Sequence, residues 1–177
     1  MKLTSRDVVS FFNSPPKGIT GVLIYGNDPM RVSDKRHQFI KSLLGSNAAE
    51  EMRLARISRE NLKKEPEQAI DLCKAQGFFP GERALLIEEG NETITEIIIK
   101  AVEAWRDGDA TIVVTAGSLK PSSSLRKFFE QKKNTYSVPI YDSPMTKFEV
   151  EKIITESGLQ NVTQEGLSHL VTVASEL

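Results

Sequence analysis

Three short apolar runs limit what this chain can fold into. Residues 21–25, 84–87 and 111–115 are continuous apolar stretches with few polar interruptions. Runs of this length without polar alternation are typical of strands that are buried on both faces of a parallel sheet. The sequence therefore predicts a sheet with helices on both sides.

Amphipathic helical patterns alternate with these strands. Apolar residues recur at helical spacing, and capping or turn residues stand at the ends of the patterns. The alternation predicts βαβ crossovers and a mostly parallel sheet. We expect Ser5 to cap the first helix and Gly45 to end the second. A further helix is expected from Pro66 to about Ala75, another after a capping box of Thr93 with Glu96, and a last one from Pro121.

Two weaker strands complete the predicted sheet. Residues 52–57 alternate between apolar and polar side chains, which indicates a half-covered strand at a sheet edge. Residues 136–141 form a short strand in which Pro139 lacks an amide donor, so an edge position or a strand end is favoured. The predicted fold is an α/β domain with a doubly wound parallel five-stranded sheet and helices on both faces.

A break at Asp142-Ser143-Pro144 separates this sheet from a helical segment. We predict an α/β domain over residues 1–142 and the beginning of a helical second domain over residues 143–177. Two helices are too few to enclose a core, so we expect the chain to be truncated within the second domain. Its two helical patterns consist of Phe148, Val150, Ile153 and Ile154, and of Leu167, Leu170, Val171 and Ala174.

Composition excludes several classes of protein. With 39% hydrophobic and 27% charged residues the chain is globular, and its net charge of −1 provides no overall attraction to nucleic acid or membrane. Cys73 is the only cysteine, so neither an internal disulfide nor a multi-thiolate metal site is possible, and its apolar spacing predicts a thiol in a helix core. No apolar run approaches the ~20 residues of a membrane span, and no signal peptide is apparent, so we expect a cytoplasmic protein without a membrane partner.

The end of the first strand is where a nucleotide hydrolase of this architecture carries its phosphate-binding loop. Residues 26–33 lack the second glycine and the lysine of that loop. Pro29 removes an amide, and Asp28 places negative charge where phosphate would lie. We therefore expect no productive ATP binding and no cofactor. Glu88 and Glu89 resemble an Mg²⁺-binding acidic pair, but without the loop an interpretation as solvated carboxylates is favoured.

Other catalytic patterns are missing from the sequence. His37 and His169 fall in different predicted domains, and Ser122-Ser123-Ser124 is explained as the start of a helix. Neither a G-x-S-x-G elbow nor a G-x-G-x-x-G loop follows a strand. We therefore predict a scaffold with no catalytic residues and no metal site.

Two adjacent phenylalanines mark the corner before the second buried run. Gly77 is expected to stop the preceding helix in the left-handed conformation, and Pro80-Gly81 to form a type II turn. Burying a Phe is worth roughly 1.5–3 kcal/mol, so a pair left in solvent indicates a partner. A helix-to-strand corner lies opposite the ligand crevice of a parallel sheet, which favours a protein partner. The alternatives are that Phe78 and Phe79 staple the helix end onto the sheet, or that one ring faces inward and the other outward.

The densest positive stretch lies within residues 53–64. Acidic residues interrupt it, and it has no aromatic platform for bases. A solvated face is the favoured interpretation, and a secondary contact with DNA or with the partner stays open. The basic residues are Arg53, Arg56, Arg59, Lys63 and Lys64.

The order and spacing of these features resemble the delta subunit of the bacterial DNA polymerase III clamp loader. The resemblance rests on residues 23–29, on the Gly77-Phe78-Phe79 corner leading into residues 85–87, and on the strand at 112–114. It covers nearly the whole chain. It implies an AAA+-like fold whose nucleotide site is degenerate, followed by the start of a small lid-like helical domain.

The resemblance also implies a function. Delta subunits insert a hydrophobic pair into a pocket of the ring-shaped sliding clamp (beta) and favour an open ring for loading onto primed DNA during replication. Phe78 and Phe79 stand at the position of that pair, with Gln76, Gly77 and Pro80 shaping the corner. The implied partners are the sliding clamp, the other loader subunits, which supply control by ATP, and primed DNA within the complex.

By this resemblance the chain is a part of a DNA polymerase III holoenzyme that has no catalytic activity of its own. Two alternatives remain open at this stage. One is an active AAA+ or P-loop ATPase, and the other is an unrelated flavodoxin-like protein-interaction module.

Overall fold

The structure is a computed structural model that describes residues 1–46, 48, 51–141, 150, 154, 158 and 163–176. The chain divides into two units, Met1–Tyr141 and Asp142–Leu177. The first unit is an α/β structure with a five-stranded sheet in which every pairing is parallel. The predicted α/β class, with helices on both faces of a parallel sheet, is confirmed.

The strand order is β2-β3-β4-β1-β5, so the two strands predicted at sheet edges do lie at the edges. The strands are β1 (Gly21–Gly26), β2 (Leu54–Ser58), β3 (Ala84–Gly90), β4 (Thr111–Ala116) and β5 (Thr135–Ile140). The helices of this unit are α1 (Ser5–Asn13), α2 (Pro29–Leu44), α3 (Arg59–Lys64), α4 (Gln68–Lys74), α5 (Thr95–Ala104) and α6 (Ser124–Gln131).

Side chains of the inner strands alternate between two apolar cores. Val22 and Ile24 of β1 belong to one core together with Phe39 of α2. Leu23 belongs to the other core together with Phe129 of α6. Every residue of β1 and of β4 is buried, because helices cover both faces of the sheet. Double coverage explains why these strands are continuous apolar runs in the sequence.

The first helix is capped one residue earlier than predicted. Thr4, not Ser5, is the residue that precedes α1. The Asp7 carboxylate accepts a hydrogen bond from the Thr4 amide at 3.3 Å and another from the Thr4 hydroxyl at 2.5 Å. One carboxylate thus accepts both the amide and the hydroxyl of the residue that precedes the helix.

The capping box predicted at the start of α5 does not form. The Thr93 hydroxyl donates to the Asn91 side-chain oxygen at 2.6 Å, and the Thr93 amide donates to the same oxygen at 3.0 Å. With its hydroxyl engaged there, Thr93 does not pair with Glu96, and α5 begins at Thr95. A local bond from an asparagine side chain has displaced the cap expected from spacing alone.

Residues 59–74 contain two short helices where the sequence predicts only the second. The Ser58 hydroxyl starts α3 by accepting the Asn61 amide at 3.3 Å. The second helix, α4, begins at Gln68 and ends at Lys74, slightly inside the span predicted from Pro66 to Ala75. The charged composition of α3 conceals its helical character in the sequence.

Two further boundaries move by a few residues. The last helix of the unit, α6, begins at Ser124, with the Ser123 hydroxyl accepting the Arg126 amide at 3.4 Å, and not at Pro121. The edge strand β2 begins at Leu54 because Met52 has a φ of 50°, which lies outside the extended region of a strand.

In the second unit the structure describes one long helix, α7 (Gln164–Glu176), which contains the predicted pattern of Leu167, Leu170, Val171 and Ala174. Phe148 and Ile153, which carry the other predicted helix, lie outside the described residues. Among the helices that are described, none has the length and apolar character required to cross a bilayer.

Cys73 lies in the core of the first unit, as its spacing predicts. The residue is 1% exposed, and its thiol donates to the Ala110 carbonyl at 3.2 Å. Burial raises the pKa of the Cys73 thiol from 9.0 to about 11. The thiol is therefore protonated and unreactive in the folded protein at neutral pH.

The raised pKa of Cys73 predicts a loss of stability in alkali. Its stabilising contribution is fully present below pH 9.0 and is lost as the pH rises toward 11, because the unfolded thiol gives up its proton first. Urea unfolding of the wild type and of Cys73→Ala, at neutral pH and just below the folded pKa, measures this contribution. The variant should lose less unfolding free energy between the two conditions, and an equal loss in both proteins would contradict the assignment.

Candidate functional site

The connection between α4 and β3 carries the phenylalanine pair on its outside. Every residue from 74 to 82 is exposed. Phe78 is 95% exposed and Phe79 is 47% exposed, and neither ring belongs to either apolar core. The alternative in which the pair staples the helix end onto the sheet is therefore not the arrangement that forms.

Arg83 fixes the beginning of this corner. Its guanidinium donates to the carbonyl of Ala75, the residue that follows α4, and also to the Gly108 carbonyl at 2.7 Å. The backbone carbonyl of Arg83 accepts the amide of Thr111, the first residue of β4, at 2.8 Å. One residue thus ties the end of α4 to the neighbouring strand and to the loop before it.

Arg53 fixes the other end of the corner. Its guanidinium donates to the Glu82 carbonyl at 3.0 Å, to the Leu44 carbonyl at 2.7 Å and to the Glu51 carboxylate at 2.6 Å. The Arg53 side chain is only 10% exposed. The predicted solvated face is therefore wrong for this residue, although it holds for the exposed Arg56, Lys63 and Lys64.

The two glycines of the corner differ in how well they match expectation. Gly77 does not adopt the left-handed conformation predicted for it, and the chain leaves α4 at Ala75, with φ −55° and ψ 126°. Gly81 has a φ of 122°, so the positive φ expected after Pro80 is observed. A Cβ at Gly81 would lie 3.3 Å from an Arg53 nitrogen, so glycine allows this arginine to approach the chain closely.

Together these contacts produce an apolar tip on a fixed base. Hydrogen bonds to a charged group contribute roughly 1.5–3 kcal/mol each, and both ends of the corner receive them. Aromatic residues are enriched at protein–protein interfaces. Anchored ends reduce the conformational entropy that the segment between them loses on binding. The corner is therefore suited to inserting its rings into an apolar pocket of another protein.

A separate crevice lies at the carboxyl edge of the sheet, that is, where the carboxyl ends of the parallel strands meet. Its volume is about 980 Å³, and the ends of all the strands except β5 contribute to its lining, together with the start of α2. This is the position at which open parallel sheets bind ligands. Its suitability for a nucleotide depends on the residues at the start of α2.

Asp28 occupies the amino end of α2 with its own carboxylate. One of its oxygens accepts the amides of Met30 at 2.8 Å and of Arg31 at 3.2 Å. Amides at a helix start are the donors that bind phosphate in nucleotide sites. Pro29, at the first position of the helix, has no amide to offer. The chain therefore places its own anion where a phosphate would bind.

Two ion pairs cross the same crevice. Arg36 of α2 contacts the Glu88 carboxylate at 2.5 Å, and Arg59 of α3 contacts the Glu89 carboxylate at 3.3 Å. Both glutamates thus pair with arginines that lie far away in the sequence, while the Glu89 side chain is still 70% exposed, as expected for a solvated carboxylate. Within the described part of the chain, no group of three or more His, Cys, Asp or Glu side chains is arranged to hold a metal ion.

The two arginines that fix the corner were not recognisable as anchors from composition. One signal is nevertheless present. Arg53 directly precedes β2 and Arg83 directly precedes β3, and the residues that follow them, Leu54 and Ala84, are register partners in the sheet. Once the strands are located, an arginine at the same position before two neighbouring strands indicates a shared role at that edge.

Comparison with known proteins leaves the site to be interpreted from its geometry. No protein-family model matches the sequence, and a search of curated proteins gives no match. The structure shows an exposed aromatic pair on a fixed base at one edge of the sheet. At the opposite edge it shows a crevice of about 980 Å³ that is lined in part by two Arg–Glu ion pairs.

Removal of the Phe78 ring is expected to leave stability nearly unchanged, because the ring is in solvent. Truncating the fully buried Phe129 to alanine should instead lower the free energy of unfolding by roughly 3–5 kcal/mol. Urea unfolding of Phe78→Ala beside Phe129→Ala measures both effects. A loss in Phe78→Ala similar to that in Phe129→Ala would mean that the ring is packed in the protein.

ATP with Mg²⁺ is not expected to raise the melting temperature. A ligand at about 100 times its Kd would add about 2.7 kcal/mol to the unfolding free energy, and the Asp28 carboxylate opposes the phosphates that would have to bind. Scanning fluorimetry of the wild type and of Asp28→Asn provides the test. A shift in the wild type would contradict the expectation, whereas a shift only in Asp28→Asn would identify the carboxylate as the excluding group.

Proposed function

We propose that this chain is a clamp-loader subunit of the delta type, which binds a ring-shaped sliding clamp through Phe78 and Phe79 during DNA replication. The observation that carries this proposal is the 95% exposure of Phe78 on a corner whose ends are fixed by Arg83 and Arg53. We take the first unit as AAA+-like and the second unit as lid-like.

The proposed activity is binding without bond chemistry. Each phenylalanine transferred from water to an apolar pocket supplies roughly 1.5–3 kcal/mol, and Phe78 has the larger exposed surface to transfer. A clamp with closed and open states shifts toward the state that binds the plug better. Because both ends of the corner are anchored, less of its binding free energy is spent on conformational entropy.

The crevice supports a subunit that does not turn over ATP itself. The Asp28 carboxylate accepts the amides at the start of α2, and the Arg36–Glu88 and Arg59–Glu89 ion pairs line the crevice. These contacts disfavour the alternative of an active AAA+ ATPase. In the proposed complex the other loader subunits use ATP to hide or expose the corner, and the assembled loader binds primed DNA.

The strand order disfavours the second alternative. A flavodoxin-like module has the order β2-β1-β3-β4-β5. In this chain β1 lies between β4 and β5, so its neighbours differ from those in that fold. An interaction module of the flavodoxin kind therefore has less support than the clamp-loader proposal.

Clamp binding by the whole chain tests the proposal. The Phe78→Ala/Phe79→Ala variant is expected to bind roughly 100-fold more weakly or worse, since losing two rings removes about 3 kcal/mol or more. Surface plasmon resonance against an immobilised sliding clamp measures this change. Tyr141→Ala is the matched control, because this aromatic residue is 55% exposed and follows β5 at the opposite edge of the sheet.

Each outcome has a distinct meaning when a thermal melt accompanies it. A folded wild type that binds no clamp would show that the proposed function is wrong. A double variant that binds as well as Tyr141→Ala would place the contact elsewhere on the chain. Loss of binding confined to the double variant, with an unchanged melting temperature, supports insertion of the phenylalanine pair.

A further inference from the structure

We infer that Met52 is a third apolar contact of the clamp-binding corner and extends the surface formed by Phe78 and Phe79. The inference rests on the proposed function and adds to it a residue that lies outside the corner in sequence. Met52 is 75% exposed and stands in the turn that leads into β2. Three features of its surroundings support the assignment.

The first feature is its position at the same edge of the sheet. In the parallel register Leu54 pairs with Ala84, and adjacent strands lie about 4.8 Å apart, so the residues before β2 run beside those before β3. Arg53, the residue after Met52, donates to the Glu82 carbonyl at 3.0 Å and also lies against Gly81. The residue that follows Met52 is therefore bonded to the segment that carries the phenylalanines.

The second feature is the backbone conformation. Met52 has a φ of 50°, a value that few side chains other than glycine, asparagine and aspartate adopt readily. Its neighbour holds the turn in place, because the Arg53 amide donates to the Ala48 carbonyl at 2.9 Å and the Arg53 guanidinium donates to the Leu44 carbonyl at 2.7 Å. Strain kept in an exposed residue by the surrounding structure is a mark of functional positions.

The third feature is the chemistry of the side chain. A methionine exposed to 75% gains nothing from burial within this chain, and a polar residue or glycine would suit such a turn better. The flexible thioether adapts to apolar surfaces of irregular shape. A partner that takes the phenylalanine rings in a pocket would therefore present an apolar groove beside that pocket to receive Met52.

The chain provides a matched control for this residue. Met30 is also 75% exposed, but it lies at the start of α2, at the carboxyl edge of the sheet. A general effect of removing an exposed methionine would appear equally in Met30→Ala and Met52→Ala. A contact specific to the corner would appear in Met52→Ala alone.

The test measures clamp affinity for the whole chain in four single variants. We expect Met52→Ala to bind about 3- to 10-fold more weakly, mainly through faster dissociation, while Met30→Ala binds like the wild type. Met52→Leu, which keeps the apolar side chain, should restore most of the affinity. Met52→Gly relieves the positive φ, so it should melt no earlier than the wild type and still bind as weakly as Met52→Ala.

The results separate this inference from the proposed function. If Met52→Ala and Met52→Gly bind like the wild type while Phe78→Ala/Phe79→Ala does not bind, the inference is overturned and the proposed function stands. If the folded wild type does not bind the clamp, both are overturned. Weaker binding in the two Met52 variants, with melting temperatures unchanged, supports a contact that includes Met52.

Discussion

Burial of the inner strands on both faces is the constraint from which the rest of this structure follows. Every residue of β1 and β4 is buried, so the faces of these strands offer no exposed position for a binding group. Polar groups and groups that contact a partner can therefore lie only at two places, the edge where the strands begin and the edge where they end. The corner lies at the amino edge and the crevice at the carboxyl edge, and each edge can be specialised without disturbing the cores between them.

The two edges use arginine in different ways. At the amino edge Arg53 and Arg83 donate mainly to backbone carbonyls, which fixes the path of the chain and leaves the tip free. At the carboxyl edge Arg36 and Arg59 pair with carboxylates, and these ion pairs line the crevice. A partly buried guanidinium needs an acceptor in either place. Where the acceptors are backbone carbonyls, the edge carries an exposed apolar tip. Where the acceptors are carboxylates, the edge carries a charged crevice.

Local signals made most of the fold predictable, and non-local contacts made the rest unpredictable. The apolar runs and Pro139 were sufficient for the parallel sheet and its edges, because burial and the missing amide act on the strand itself. The cap at Thr93 was mispredicted because Asn91, two residues away, engages the same hydroxyl. The role of Arg53 had no local signal, since its acceptors at Leu44 and Glu82 meet only in the folded chain. The exposure of Phe78 also had no local signal, because it depends on whether a distant part of the folded chain covers the ring.

Anchoring through backbone carbonyls makes the frame of the corner independent of the side chains at its tip. Exchange of a side chain at the tip leaves the bonds of Ala75 to Arg83 and of Glu82 to Arg53 intact. Substitution at positions 78 and 79 can therefore proceed without disturbing this frame. Replacing the two side chains would change which pocket the corner recognises, while its backbone stays the same.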